Sequence, residues 1–383
     1  MELKDPVYLD YNATTPIDPR VAEAMGPCLG EVFGNPSSSH AYGRRARRAV
    51  EEARQQVAAL LGCEASEVVF TSGGTESNNM ALLGVARALA SKGRHVVTSS
   101  IEHPAVLEPC LALLEDGFDV TFVPVDGYGR VDPDDILRAL RPDTILVSLM
   151  HSNNEVGTLQ PVAELAGPLR ERGILFHTDA AQSVGKVPTR VADLGVDLLT
   201  VAGHKLYAPK GVGALYVRSG TPMDRVLYGA GQEGGRRPGT ENVLEIVGLG
   251  AAAQCAARDL SREMERLRSL RDRLEAHLLE KVPDARVNGH PRHRLPNTLS
   301  ISFPGLTSGA LLAALPHVAA SGGAACHSDG VRVSHVLEAM GLDPEVARGT
   351  LRLSVGRFTD RDDVDRAAEA IVCAVGSLKE GSN

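Results

Sequence analysis

Between residues 67 and 217 the chain alternates short apolar runs with helix-patterned segments, and this alternation constrains the fold more than any other feature. Runs at Glu67–Thr71, Val96–Ser99, Val120–Val125, Ile145–Leu149, Ile174–His177, Leu198–Val201 and Val212–Val217 read as strands. Glu76–Ala90, Pro133–Leu140 and Val162–Arg172 read as helices between them, and Arg44–Leu61 has helical apolar spacing closed by Gly62. Strands alternating with helices predict an α/β fold with a mainly parallel sheet covered on both faces. Ligands of such sheets bind at the carboxyl ends of the strands.

After about Val243 the pattern changes. A long Arg/Glu/Leu-rich helical stretch runs to about Glu280. A strand at Thr298–Phe303, a helix at Ser308–Leu315, a Gly/Ala loop holding Cys326, a strand at Thr350–Val355 and a last helix after Asp360 follow. This reads as a smaller α+β domain. The expected division is 14–258 for the large domain, and 1–13 with 259–383 for the small one.

The chain has 383 residues with a net charge of −8, which gives no reason to expect nucleic acid or an anionic membrane as partner. No apolar run approaches the roughly 18 residues of a spanning helix. The first residues, MELKDPVYLD, lack the basic and apolar regions of a secretory signal, so a cytoplasmic location is expected. Six cysteines stand singly, with no C-x-x-C pair, so neither a metal site nor a disulfide framework is expected and most should be small core residues.

The chemistry-bearing residues follow the predicted strands. Lys205, in AGHK, stands at the end of Leu198–Ala202. Burial there disfavours the ammonium, and a neutral amine is what Schiff-base chemistry needs. SGGTES, with Gly73, Gly74 and Thr75, forms a strand-to-helix turn suited to a single phosphate, and it lacks the spacing of a nucleotide P-loop. His103 follows a strand, where a capping or core role is the commoner reading. Asn153, Asn154 and Glu155 follow another, and Asp179 and Gln182 follow Ile174–His177. Together these meet the needs of pyridoxal phosphate: a lysine for the aldehyde, a carboxylate for the ring nitrogen, a phosphate cradle and a flat group for the ring face.

On YLDYNATTP, GNPSSSHAYGR, FTSGGTESNN, EHPAV, NNEVGTLQP, HTDAAQS, GHKLYAPKGVG, RRPGTEN, SGGAACHS and RLSVGRFT, the chain resembles the NifS/IscS-like cysteine desulfurases of the class V aminotransferase-like group. The resemblance spans nearly the whole chain. It implies the fold type I of pyridoxal-phosphate-dependent transferases and a homodimer with a shared active site. It also implies conversion of L-cysteine to L-alanine, with sulfur passed to a protein acceptor or scaffold for iron–sulfur clusters or thio-cofactors. Lys205 would form the Schiff base, Asp179 would bind the pyridine nitrogen and His103 would stack on the ring. Asn154 and Gln182 would contact the ring or its phenol oxygen. Gly74, Thr75 and His204 would hold phosphate, and Thr240 would reach the partner subunit's phosphate. Arg352, with Asn154, would hold the substrate carboxylate, for which a guanidinium fork is suited.

Cys326 carries the distinctive chemistry. The resemblance makes it the nucleophile that takes sulfur as a persulfide, a role that needs thiolate character. Its small-residue setting, Gly322 to Ala325, is a poor place to bury a structural cysteine. Two departures stand out. Ala202 replaces a serine that donates to phosphate in many relatives. GAACHSDG is similar to selenocysteine lyases, in whose mammalian-type members an acid follows the stacking histidine where this chain has Pro104. L-cysteine is therefore the expected substrate, with L-selenocysteine accepted at least in part. The competing readings are a selenocysteine lyase and a non-catalytic pyridoxal-phosphate scaffold.

Overall fold

A computed structural model describes residues 6–381 except 328–329, with backbone alone for 324–332. Seven strands form the main sheet. From one edge to the other they are Val68–Thr71, Gly213–Val217, Leu198–Ala202, Leu175–Asp179, Thr144–Ser148, His95–Ser99 and Asp119–Val123. The last five run parallel. Gly213–Val217 is antiparallel to both its neighbours. It follows Leu198–Ala202 through the short segment 203–212, too short for the crossover a parallel neighbour requires. The expected mainly parallel α/β architecture is borne out, and most strand bounds fall within two residues of those read from the apolar runs.

Helices cover both faces. On one, Val50, Val57 and Leu61 of the helix Ala41–Leu61 pack with Leu165, Leu169, Ile246 and Leu249. That helix crosses the long helix Val243–Lys281 closely: a Cβ on Gly250 would lie 2.5 Å from the Ala53 Cα, so only glycine fits there. On the other face lie Gly74–Leu89 and Pro104–Glu115, contributing Leu82, Val85, Val106 and Leu113. Pro104–Glu115 is a helix the apolar pattern did not announce. His103 is its N-cap and Pro104 its first residue, where a fixed φ and a missing N–H cost nothing.

A second core forms around the antiparallel sheet Ser321–Gly322, Thr350–Ser354, Thr298–Ser302 and Arg286–Asn288. Leu267, Leu274 and Leu278 from the far half of the long helix bury against Phe303, Leu351 and Ile371. Val7 and Leu9 join this core, and Val7–Tyr8 pairs in parallel with Val318–Ala319. The Gly/Ala segment expected as a loop is instead a hairpin, with Ala324–His327 antiparallel to Gly330–Val333. Among the described cysteines Cys110 and Cys255 are buried and the half-buried Cys63 packs against the core, while Cys28 is half-buried and Cys373 exposed. No helix among the described residues is long and apolar enough to cross a membrane.

Asp18 joins the two halves. Its carboxylate accepts from Arg20 Nε at 2.9 Å and Nη2 at 2.7 Å, and from Arg357 Nη1 at 2.5 Å. Its N–H donates to Tyr207 O at 3.1 Å, two residues past Lys205. The Arg20 hydrogen bonds, followed by those of Arg357, hold its carboxyl well below the usual carboxylate range. A depressed pKa contributes stability that is present above the unfolded value of about 4 and is lost as pH falls through the folded one. Asp18→Asn is expected to lower unfolding free energy by about 3 kcal/mol at neutral pH, as for breaking a buried ion pair. In urea titrations the gap from the native chain should shrink below about pH 4.

Candidate active site

The strand Leu198–Ala202 delivers Lys205 to the carboxyl end of the sheet through a single 3-10 turn, Gly203–Lys205. The amine donates to the backbone carbonyls of Asn12 and of Ala13, the latter at 2.9 Å. Burial, reinforced by the charge of Arg352, lowers its pKa to about 8, against the opposing pull of Asp179 and Asp10. The sequence-based argument for a depressed lysine thus holds, for the reason anticipated. The next turn is strained: Tyr207 takes φ = 64°, which is uncommon for a bulky residue. Its buried ring is held in place by Arg357, whose guanidinium lies 4.4 Å from the ring centre and whose backbone N–H donates to the Tyr207 hydroxyl at 2.7 Å.

Lys205 opens on a cavity of about 280 Å³ whose wall also includes Gly74, Thr75, His103, Asn154, Asp179, Gln182 and His204. Seven residues expected at a single cofactor, from five separate stretches of sequence, therefore meet around this amine. Asp179, the last residue of its strand, accepts from Asn78 Nδ2 at 2.7 Å and from Ala181 N at 2.9 Å. His103 caps its helix, Nδ1 accepting from Ala105 N at 3.1 Å, so the capping role and the cavity role coincide. Burial lowers the His103 pKa, outweighing the Asp179 carboxylate. His204 is pushed down to about 4, chiefly by burial and then by Lys205, and its Nδ1 lies 3.2 Å from Thr14 Oγ1. It is therefore neutral at pH 7. Gly74 and Thr75 begin the helix that points its positive N-terminal end at the cavity. Gly73 makes this turn at φ = 154°, ψ = −177°, a conformation open essentially to glycine alone. An amine, a carboxylate, an imidazole face and a helix N-terminus around one small cavity fit pyridoxal phosphate. Asn78 Oδ1, buried beside Asp179 without a partner, is a further polar atom facing such a group.

A wider cleft, about 1030 Å³, shares His103 and Asn154 with the inner cavity. Arg352 lies on it, from the second sheet. Its guanidinium donates to Asp10 Oδ1 at 2.8 Å, Ser321 Oγ at 3.0 Å and Asn154 O at 3.2 Å, while Nε is buried without a partner. Gly323 and Val333, at the roots of the Cys326 hairpin, line the same cleft. The Cys326 side chain lies outside what the structure describes. Thr240 is not brought to the cavity. It is exposed and lines a separate pocket with Ser72 and Arg237.

Several residues of this site escape sequence reasoning. Asn12 and Asn78 sit inside the quoted motifs but carry no charge pattern. His335 lines the cleft, Nε2 lying 3.0 Å from Glu102 O. Glu102 is wholly buried, its carboxyl pushed up to about 8 by burial while accepting from Ser99 Oγ at 2.6 Å and Met150 N at 2.9 Å. That bond ties the turn bearing His103 to the loop bearing Asn154. Its signal was adjacency to His103 in EHPAV, which spacing alone could not rank.

Residues 7–367 match the family described as aminotransferase class-V. The chain is 47% identical over 379 residues to the cysteine desulfurase IscS of Dictyoglomus turgidum, covering 98% of this chain and 96% of the relative. It is similar to a solved NifS-like protein, with a TM-score of 0.91 and 38% identity over 97% of this chain and 99% of that one. It is also similar to SspA solved in complex with cysteine, with a TM-score of 0.80 and 36% identity over 92% and 99% of the two chains.

With the Lys205 amine titrating near 8, its reactive neutral fraction should climb from about one-tenth at pH 7 to about nine-tenths at pH 9. Stopped-flow capture of pyridoxal phosphate by apoprotein should therefore accelerate up to pH 9 and then level. A rate still climbing steeply between pH 9 and 10.5 would mean an unperturbed lysine.

Proposed function

The chain belongs to the aminotransferase class-V family, and from that premise we propose the reaction and the role of each residue in it. The protein is a pyridoxal-phosphate-dependent cysteine desulfurase. The observation that carries the assignment of residues is the convergence of the Lys205 amine, the Asp179 carboxylate and the His103 ring on one cavity, next to the cleft that holds Arg352 and the base of the Cys326 hairpin. When bound, pyridoxal phosphate supplies an electron sink for charge developing at the substrate's carbons.

The protein's own groups do the rest. Asp179 keeps a proton on the ring nitrogen, for which its fixed carboxylate is placed by Asn78 and Ala181. Lys205 would hold the aldehyde and would carry a proton to or from the substrate Cα; a pKa near 8 suits proton exchange at neutral pH. His103 would cover the ring face, Gly74, Thr75 and His204 would hold the phosphate, and Thr240 would serve the partner subunit. Arg352 and Asn154 bind the carboxylate of L-cysteine, the fork of Arg352 being already aimed by Asp10 and Ser321. The Cys326 thiolate attacks the substrate sulfur. The Cβ–S bond breaks as an S–S bond forms on Cys326; the Cβ keeps the electron pair and takes up a proton to become a methyl group, so that thiol and L-cysteine give persulfide and L-alanine with no external oxidant. The hairpin beside the cleft then presents the persulfide to a sulfur-acceptor or scaffold protein for iron–sulfur cluster or thio-cofactor synthesis.

This reading treats 14–258 as the cofactor-binding unit and 1–13 with 259–383 as the unit bearing Cys326; each has an apolar cluster of its own, and a smaller cluster of Ile101, Met150, Val336 and Leu337 packs across the boundary. It takes the working form to be a cytoplasmic homodimer. Leu29, Phe33 and Tyr228 are 77%, 67% and 81% exposed, an apolar cost that a subunit contact would remove.

Cys326→Ala should keep the visible band of bound pyridoxal phosphate and lose at least about a hundredfold in persulfide and alanine formation from L-cysteine. Full-rate alanine production by that variant would sink the role of Cys326. Arg352→Lys should raise KM for L-cysteine by about tenfold or more, since a point charge replaces a two-pronged contact. Rates on L-cysteine and L-selenocysteine, measured side by side, test the substrate preference.

A further inference from the structure

A second lysine is buried a few ångströms behind the site. Lys186 is 6% exposed and does not line the cavity. Its Nζ donates to Gln182 Oε1 at 2.9 Å and to Asn12 Oδ1 at 3.2 Å. Gln182 in turn donates from Nε2 to Asn12 O at 2.9 Å. The Asn12 side chain is itself pinned: Oδ1 also accepts from Asn297 at 3.0 Å, and Nδ2 donates to Thr298 Oγ1 at 2.8 Å and Asn154 O at 3.2 Å. The Asn12 carbonyl that receives Gln182 also receives the Lys205 amine.

These partners admit one orientation of the Gln182 amide. The Asn12 carbonyl can only accept, so it calls for the N–H edge of Gln182, and the Lys186 N–H is then met by Oε1. Flipping the amide would set its NH2 against the Lys186 donors and its oxygen against the Asn12 carbonyl. The observed orientation leaves Nε2 with one hydrogen committed to Asn12 and one remaining at the cavity wall. We propose that Lys186 is a positioning residue: it locks the Gln182 amide with its N–H edge toward the cofactor, and it holds the Asn12 segment that seats Lys205. The inference rests on the cofactor reading given above.

The chemistry of the buried amine agrees. Among the described residues no carboxylate lies within hydrogen-bonding distance of Lys186, and burial, with Lys205 and Arg352 next, drives its pKa well below the usual lysine range. Both of its hydrogen bonds go to amide oxygens, so the lock is made without an ion pair.

The test uses four holoproteins: native, Lys186→Met, Gln182→Leu and the double variant. Each single change is expected to weaken pyridoxal phosphate binding to the apoprotein by about tenfold, the size of one lost buried hydrogen bond. Each should also raise the pH midpoint of the visible band by about half a unit or more, since the cofactor's phenol oxygen loses an N–H donor. The double variant should be no worse than either single one, because both remove the same N–H contact. A Lys186→Met protein with the native midpoint and an affinity within about twofold of native would overturn the proposal, as would additive effects in the double variant. Should Lys186→Met not fold, Gln182→Leu decides on its own: an unmoved midpoint overturns the lock. A native protein that takes up no pyridoxal phosphate would instead overturn the cofactor reading itself.

Discussion

The site depends on the burial of one short segment, Asn12 to Thr15, between the two cores. Asn12 is fully buried, and its N–H, its carbonyl and both ends of its side chain are all engaged. Its partners come from both sides: Gln182, Lys186 and Lys205 from the large sheet, and Asn297, Thr298 and Ser354 from the second core. A buried turn has to satisfy every polar group it carries. It does so by becoming the surface on which the reacting lysine rests. The Thr15 hydroxyl continues the arrangement, donating to His204 O at 3.0 Å and accepting from Tyr207 N at 3.0 Å.

Desolvation is the second constraint, and it acts selectively. It lowers Lys205, Lys186, His103 and His204 and raises Glu102. At neutral pH this leaves His204 uncharged, while Lys205, titrating near 8, is still mostly an ammonium close to the Asp179 carboxylate. Arg352 brings a second cation, and Asp10 supplies a carboxylate to it at 2.8 Å.

Much of this was legible along the chain. The strand–helix alternation predicted the parallel sheet, and the carboxyl-end rule pointed to the loops that carry His103, Asn154, Asp179 and Lys205. The helix Pro104–Glu115 was missed because its signal lies in capping chemistry, with His103 and Pro104 starting it, rather than in a clean apolar stripe. Lys186 was passed over for a related reason. A lysine four residues after Gln182 looks like an ordinary polar position until the fold turns it inward. Asp10 and Arg352 lie 342 residues apart, and nothing local pairs them.

The sequence by itself determined the order of strands and helices, the catalogue of reactive groups and the strands to which they are attached, because these follow from short-range periodicity and residue chemistry. Only the tertiary structure decided which of those groups share a wall, that Thr240 stands apart from it, and that Asn12 and Lys186 support it from behind. Those facts depend on contacts between segments hundreds of residues apart, and on burial, which changes what a lysine, a histidine or a carboxyl group is at neutral pH.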